Sequence, residues 1–186
     1  MSTFSQEKAG LSFDLRVDST DNLRNALVAR EIDLAFLMGP VAEVSITNHE
    51  VCAYDMVFAA EPKLATKHER WSLDDIADEP VLTFATNTKP SRRIKELLTS
   101  DRHPPKMTTS TSLGALIRLA TSGMGICAIP RAVIADQLGN RQLVELATTE
   151  KLPPLTFTAS YVSGSPLSAL LADITEGALA FLDQSS

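Results

Sequence analysis

The chain has 186 residues, 44% of them hydrophobic, which suits one domain or two small lobes with a packed core. Its 17 basic and 23 acidic residues give a net charge of -6, and Arg92-Arg93 is the sole basic doublet, which argues against a nucleic-acid surface. No apolar run approaches the roughly 20 residues needed to span a bilayer, and MSTFSQEKAG lacks a basic start followed by an apolar stretch, so the chain reads as neither membrane-embedded nor exported.

Leu11 to Asp18 (LSFDLRVD) alternates apolar and polar side chains and predicts a strand with one buried face. Ser19-Thr20-Asp21 supplies capping groups, and Leu23, Ala26 and Leu27 follow at helical spacing. Ile32 to Leu37 (IDLAFL) is almost continuously apolar, as a strand covered on both faces should be, and Met38-Gly39-Pro40 stops it. This predicts a βαβ unit. Glu50 to Glu61 predicts one long strand closed by Pro62, and Ser72 to Ile76 a capped helical turn before a second apolar strand at Val81 to Phe84.

Ala85 to Lys89 is polar, and Pro90 opens a helix running to about Leu98. Thr108 to Thr111 separates a short strand from another helix, which runs from about Ser112 to Thr121 with Leu113, Leu116, Ile117 and Ala120 on one side. Gly123 suits the end of that helix, Ile126 to Ile129 is a strand, and Pro130 opens the next helix. Leu155 to Val162 predicts a long strand and Leu167 to Leu182 an amphipathic final helix. The alternation argues for α/β architecture with mostly parallel sheets flanked by helices. Cys52 and Cys127 lie in apolar strand-like runs and read as free buried thiols, which fits a reducing cytoplasm.

Gly123-Met124-Gly125-Ile126-Cys127-Ala128 matches a dinucleotide-binding glycine pattern, but that mechanism needs a strand before the glycines and a helix after them. Here the order is reversed, so the glycines read as a helix stop. Ser5-Gln6-Glu7-Lys8 matches a short acylating-enzyme pattern without its other elements and reads as surface helix. His49, His68 and His103 never pair at metal-site spacing, and the acidic cluster Asp74, Asp75, Asp78 and Glu79 reads as a solvated turn. No catalytic set, metal site or cofactor site is expected.

What remains are hydroxyl and amide groups at strand ends: Ser19 and Thr20; Met38, Gly39 and Pro40; Thr86, Asn87 and Thr88; Ser110 and Ser112. In open α/β sheets, ligands sit outside the carboxyl ends of strands, where helix N-termini offer free N–H groups. These turns suit a small polar or anionic ligand, although each alone is also an ordinary helix cap. Arg92 and Arg93 suit either a ligand carboxylate or a solvated face.

Three segments carry a family resemblance. VDSTDNLRNALVAREIDLAFL resembles the strand, hydroxyl-bearing cap, leucine-rich helix and aspartate-led strand of the effector-binding domain of LysR-type transcriptional regulators. LDDIADEPVLTF resembles that domain's entry into its second lobe, and LIRLATSGMGICAIPRAVI its glycine-glycine-proline signature. The resemblance implies the fold of type 2 periplasmic binding proteins: two lobes joined by two crossover strands, with a small-molecule effector in the cleft between them. It places residues 1–58 and 162–186 in the first lobe and 59–161 in the second. It also implies that Ser19, Thr20, Met38, Gly39, Pro40, Thr86, Asn87 and Thr88 contact the effector, and the strand-end reading adds Ser110 and Ser112. A homodimer or higher homo-oligomer is expected, with DNA bound only through a winged helix-turn-helix that this sequence does not contain. The family has a further strand and helix before Leu11, where only STFSQEKAG stands, so a fragment or a gene start assigned too late is expected. Two other readings use the same fold: a stand-alone solute-binding protein of a transporter, disfavoured by the missing signal segment, and a lyase-type enzyme, for which no acid, base or metal set is evident.

Overall fold

The computed structural model describes residues 12–100 and 104–183. By its internal contacts the chain divides into two compact units, Met1–Ala53 with Thr156–Ser186, and Tyr54–Leu155.

In the first unit, helix α1 (Thr20–Val28) leads into β1 (Leu34–Met38), and β2 (Ile46–Tyr54) and β8 (Leu155–Val162) complete a three-stranded sheet in the order β1-β8-β2. β1 runs antiparallel to β8, with Phe36 opposite Ala159. Leu27 of α1 packs with Ala35, Leu37, Val41, Ile46 and Val162, so alternate residues of β1 supply the core. The final helix α7 (Ser168–Asp183) starts close to its expected position.

The expected strand at Leu11 to Asp18 is corrected. Leu11 lies outside the described residues, and residues 12–18 form no strand. Phe13, Leu15 and Val17 are exposed, Val17 almost completely. An alternating pattern yields a strand only when a partner takes up its backbone hydrogen bonds, and none of the described strands does so. The expected motif Ser5 to Lys8 and His103 also lie outside the described residues.

The second unit holds a five-stranded sheet in the order β5-β4-β6-β3-β7, built from β3 (Met56–Ala60), β4 (Val81–Phe84), β5 (Met107–Ser110), β6 (Ile126–Pro130) and β7 (Val144–Glu145). Helices α2 (Pro62–Ala65), α3 (Leu73–Asp78), α4 (Lys89–Leu98), α5 (Leu113–Thr121) and α6 (Ala135–Gly139) alternate with these strands, and Arg131–Ile134 forms a single 3-10 turn. β4 pairs in parallel with β5 and β6, whereas β3 pairs antiparallel with β6 and β7. The α/β class therefore stands, with mixed sheets. The long strand expected from Glu50 to Glu61 is two strands, because the chain leaves the first sheet after Tyr54 and enters the second at Met56. Asp55 sits at the change, its carbonyl accepting from Arg131 N at 2.9 Å.

The segment SGMG acts as a helix stop. Gly123 (φ 73°) follows the last turn of α5, and its N–H and that of Met124 satisfy the carbonyls of Ala120 and Leu119 at 3.0 and 3.1 Å. α3 begins with a reciprocal capping box, in which Asp75 N donates to Ser72 Oγ and Ser72 N to Asp75 Oδ2 at 3.2 and 2.9 Å. Of the acidic cluster, Asp75 is thus a cap, and Glu79 pairs with Lys67.

Cys127 is fully buried in β6 and its Sγ–H donates to Ala59 O at 3.2 Å. Burial pushes its thiol from the ordinary 9.0 up to about 12. Cys52 on β2 is only partly buried. At pH 8, a thiol-reactive disulfide reagent should therefore titrate Cys52 in the folded chain and reach Cys127 only after unfolding. The raised folded pKa favours folding fully below pH 9, and that contribution should fade as the pH rises toward 12. Two equivalents of fast reaction in the native protein would contradict the burial of Cys127.

Candidate functional site

Of the turns singled out in the sequence, Ser19 and Thr20 follow no strand, because residues 12–18 form none, whereas the others fall at the carboxyl ends of β1, β4 and β5. In the second unit the parallel register sets Val81 opposite Met107 and Phe84 opposite Ser110, so the chain leaves β4 and β5 side by side. Each exit leads directly into a helix. Thr88 caps α4, its Oγ1 accepting from Ser91 N at 3.4 Å and donating to Ala85 O at 2.7 Å. Ser112 caps α5, its Oγ accepting from Ala115 N at 3.3 Å, while its own N–H donates to Ser110 Oγ at 3.0 Å. Thr86 Oγ1 and Thr109 Oγ1 share a hydrogen bond of 3.0 Å, which ties the two exits together. Thr86, Asn87, Thr88, Ser110 and Ser112 therefore gather at one end of one sheet.

The electrostatics of this end follow from its composition. Neither α4 nor α5 has an acidic residue in its first turn. A helix start leaves N–H groups without intrahelical partners and carries partial positive charge. Two such starts side by side, with Lys89 and Arg92 on the first turns of α4, present donors to an acceptor group. Arg92 is held in place, since its Nη1 donates to Asn87 O at 2.8 Å. Arg93 instead pairs with Glu96 at 3.3 Å, which takes it away from the exit turns.

The first unit behaves differently. Ser19 caps α1, its Oγ accepting from Asn22 N at 3.3 Å, and Thr20 is the first helical residue. Asp18 lies against this start, its Oδ1 accepting from Ser19 N at 2.8 Å and Asn22 Nδ2 at 2.6 Å. These bonds and Arg16 hold the Asp18 carboxyl below its usual pKa, and Asp21 adds a second negative charge to the same turn. This helix start thus carries carboxylates that the starts of α4 and α5 lack.

Met38, Gly39 and Pro40 form the exit from β1, and a polar network anchors it. Gly39 N donates to Thr156 O at 3.2 Å. Asn48 Oδ1 accepts from Val41 N at 2.9 Å and from Ser160 Oγ at 2.8 Å, and its Nδ2 donates to Val41 O at 3.0 Å. Ser160 Oγ in turn shares a 2.9 Å bond with Thr158 Oγ1. Asn48, Thr158, Ser160 and Thr109 did not emerge from the sequence. Ser160 lies 112 positions from Asn48, so no local spacing announces the network. Thr109 sits inside a strand, where a threonine is an ordinary β-former.

His49 and His68 serve structure. His49 Nε2 lies 3.1 Å from Tyr161 Oη with the rings stacked, and His68 packs edge-on against Trp71 beside Asp75. Among the described residues no group of three or more His, Cys, Asp or Glu is arranged to hold a metal ion. No helix among them is long and apolar enough to cross a membrane.

Comparison with known proteins gives these turns a family context. The HTH-type transcriptional regulator YofA of Bacillus velezensis is 26% identical over 168 residues, covering 90% of this chain and 56% of the relative. The HTH-type regulator YeiE of Escherichia coli is 26% identical over 140 residues, covering 74% and 47% respectively. The chain thus spans about half the length of the curated relatives it matches. Among solved structures, the CcmR regulatory domain of Synechocystis in complex with 2-PG superposes with a TM-score of 0.75 at 16% identity, covering 97% of this chain and 88% of that one. A sulfate-bound mutant of the OxyR2 regulatory domain from Vibrio vulnificus gives 0.74 at 22% identity, with 96% and 86% covered. The MetR regulatory domain of N. meningitidis, a LysR family regulator, gives 0.74 at 20%, with 98% and 86% covered. These likenesses show the fold. The family model described as the LysR substrate binding domain matches residues 1–181, and the chain belongs to that family.

Proposed function

We propose that this chain is the effector-sensing domain of a cytoplasmic LysR-type transcriptional regulator, and that it binds a small metabolite without converting it. The observation that carries the reading is the family match over residues 1–181. The curated relatives are named HTH-type transcriptional regulators, which favours a regulator over the solute-binding protein of a transporter. DNA binding and homo-oligomer formation belong to the full-length regulator in this proposal. An effector with different affinities for two arrangements of that regulator shifts the balance between them.

Thr86, Asn87, Thr88, Ser110 and Ser112 are the proposed effector contacts of the second unit, and Ser19, Thr20, Met38, Gly39 and Pro40 those of the first. The two starts of α4 and α5 suit an acceptor group such as a carboxylate or phosphate ester. The α1 start, with Asp18 and Asp21, suits a hydroxyl or ammonium donor. Titration calorimetry against a panel of amino acids, aromatic acids, sugar acids and phosphorylated organic acids tests this assignment. Thr86 is exposed, so Thr86→Val should leave the fold intact and weaken the best ligand about tenfold or more, since the lost hydrogen bond goes to a charged group. A ligand indifferent to Thr86→Val would remove the β4/β5 exits from the site. Turnover of the ligand by the purified chain would overturn the non-catalytic reading.

A further inference from the structure

The hydroxyls at the β4 and β5 exits differ in how far the chain itself uses up their protons. A hydroxyl has one proton to donate and two lone pairs that accept. Thr88 has no donor left, because its N–H and its O–H both go to Ala85 O, at 2.9 and 2.7 Å. Thr83, opposite Thr109 in the β4/β5 register, is fully buried and donates to Ala128 O at 2.8 Å. Ser110 Oγ and Ser112 Oγ accept from the N–H groups of Ser112 and Ala115, and neither O–H has an acceptor among the described residues. Thr86 and Thr109 form a pair, since their two hydroxyls share one bond of 3.0 Å. Two protons and one bond leave one proton free. Either oxygen can be the donor, so that proton can point outward from Thr86 or from Thr109.

We propose that Thr109 is a positioning residue of the effector site, which donates to Thr86 and thereby commits the Thr86 proton to an acceptor group on the effector. The inference rests on the reading of the β4 and β5 exits as effector contacts, and adds to it a residue whose own hydroxyl stays off the ligand. Thr86 has a single proton. Once that proton goes to a carboxylate or phosphate oxygen, the bond between the two threonines survives only with Thr109 as donor. A hydroxyl that accepts one hydrogen bond is polarised into a better donor in the next, so Thr109 strengthens a contact it does not make. Its place in the fold suits that role. Thr109 sits within β5, held by its ladder to β4, whereas Thr86 lies in the turn two residues beyond the last residue of β4. The strand residue therefore fixes the oxygen of the turn residue.

The test uses the 186-residue chain with inorganic phosphate as the probe, its binding followed by NMR through the amide signals of Thr86, Asn87, Ser110 and Ser112. Thr109→Val keeps the β-branched shape that suits a strand and removes the hydroxyl. It should weaken phosphate about threefold to tenfold, with the thermal unfolding midpoint little changed. Thr109→Ser restores the hydroxyl and should recover the original affinity. In a Thr86→Val background, Thr109→Val should have no further effect, because Thr109 acts only through Thr86. An affinity that falls with Thr86→Val but not with Thr109→Val overturns the positioning role and leaves the effector contacts standing. So does a loss in Thr109→Val that Thr109→Ser fails to restore, which assigns the effect to packing. A loss that persists undiminished without the Thr86 hydroxyl also overturns it, since Thr109 would then touch the anion itself. Phosphate that moves none of the four amides, or whose affinity ignores both threonines, overturns the effector reading of these exits and this inference with it.

Discussion

Gly125→Ala should destabilise the second unit by about 3 kcal/mol or more, a large part of the roughly 5–15 kcal/mol that holds a domain together. A Cβ on Gly125 would lie 2.2 Å from the carbonyl oxygen of Pro80 and 3.0 Å from its carbonyl carbon. Backbone, not a flexible side chain, occupies the space. The same Pro80 oxygen accepts the first hydrogen bond of β6, from Ile126 N at 2.8 Å, immediately before β4 and β6 pair at Val81 and Ile126. Moving Pro80 aside therefore costs the start of the central parallel pair as well as the steric term. Trp71, the sole tryptophan, is buried in the same unit, so its fluorescence in a urea titration reports the loss. Gly114→Ala supplies the contrast. Its Cβ would meet only Arg118 Nη1 at 3.7 Å, and alanine is the better helix former, so this variant should be neutral or gain up to about 1 kcal/mol. Equal stability of the two variants would refute the reading of Gly125 as a close-approach position.

What was legible in the sequence was local. The caps Ser19, Ser72, Thr88 and Ser112 act over three residues, and each stands where its hydroxyl accepts from a backbone N–H. The reversal of order around Gly123 and Gly125, helix first and strand second, was likewise readable without knowing the rest of the fold. What failed was whatever depends on a distant partner. Leu11 to Asp18 has the pattern of a strand, but pairing is supplied from elsewhere in the fold, and residues 12–18 have none. Glu50 to Glu61 reads as strand-forming on both sides of Asp55, itself a poor β-former, but the change of sheet there depends on distant partners that no propensity encodes. The candidate site divides in the same way. Its hydroxyls were visible as caps, whereas the register of β4 against β5 that gathers four of them with Asn87, and the bond between Thr86 and Thr109, are properties of the folded sheet.

The exit from β1 shows the most demanding fit in the first unit, and Gly39→Ala should expose it. A Cβ on Gly39 would fall 2.0 Å from Thr158 Oγ1, 2.6 Å from Cγ2 and 2.8 Å from Cβ. Thr158 is only 3% exposed and bonded to Ser160, so its side chain has no solvent to swing into. The turn must move instead, at a cost of about 3 kcal/mol. Asn48 opposes that movement by holding both the N–H and C=O of Val41. The steric origin is separable from a backbone effect, because Thr158→Gly removes all three clashing atoms. That change alone should destabilise β8, through a lost hydrogen bond and a glycine in a strand. Combined with Gly39→Ala, it should cost less than the two singles summed, with a favourable coupling of about 1–3 kcal/mol in urea titrations followed by circular dichroism. Strict additivity would mean that Thr158 does not dictate glycine at this position. Because Met38, Gly39 and Pro40 are among the proposed effector contacts of this unit, a folded Gly39→Ala chain should also bind the effector more weakly. The double variant, with the turn released to its original path, should recover part of that affinity, which ties the fit at Gly39 to binding as well as to stability.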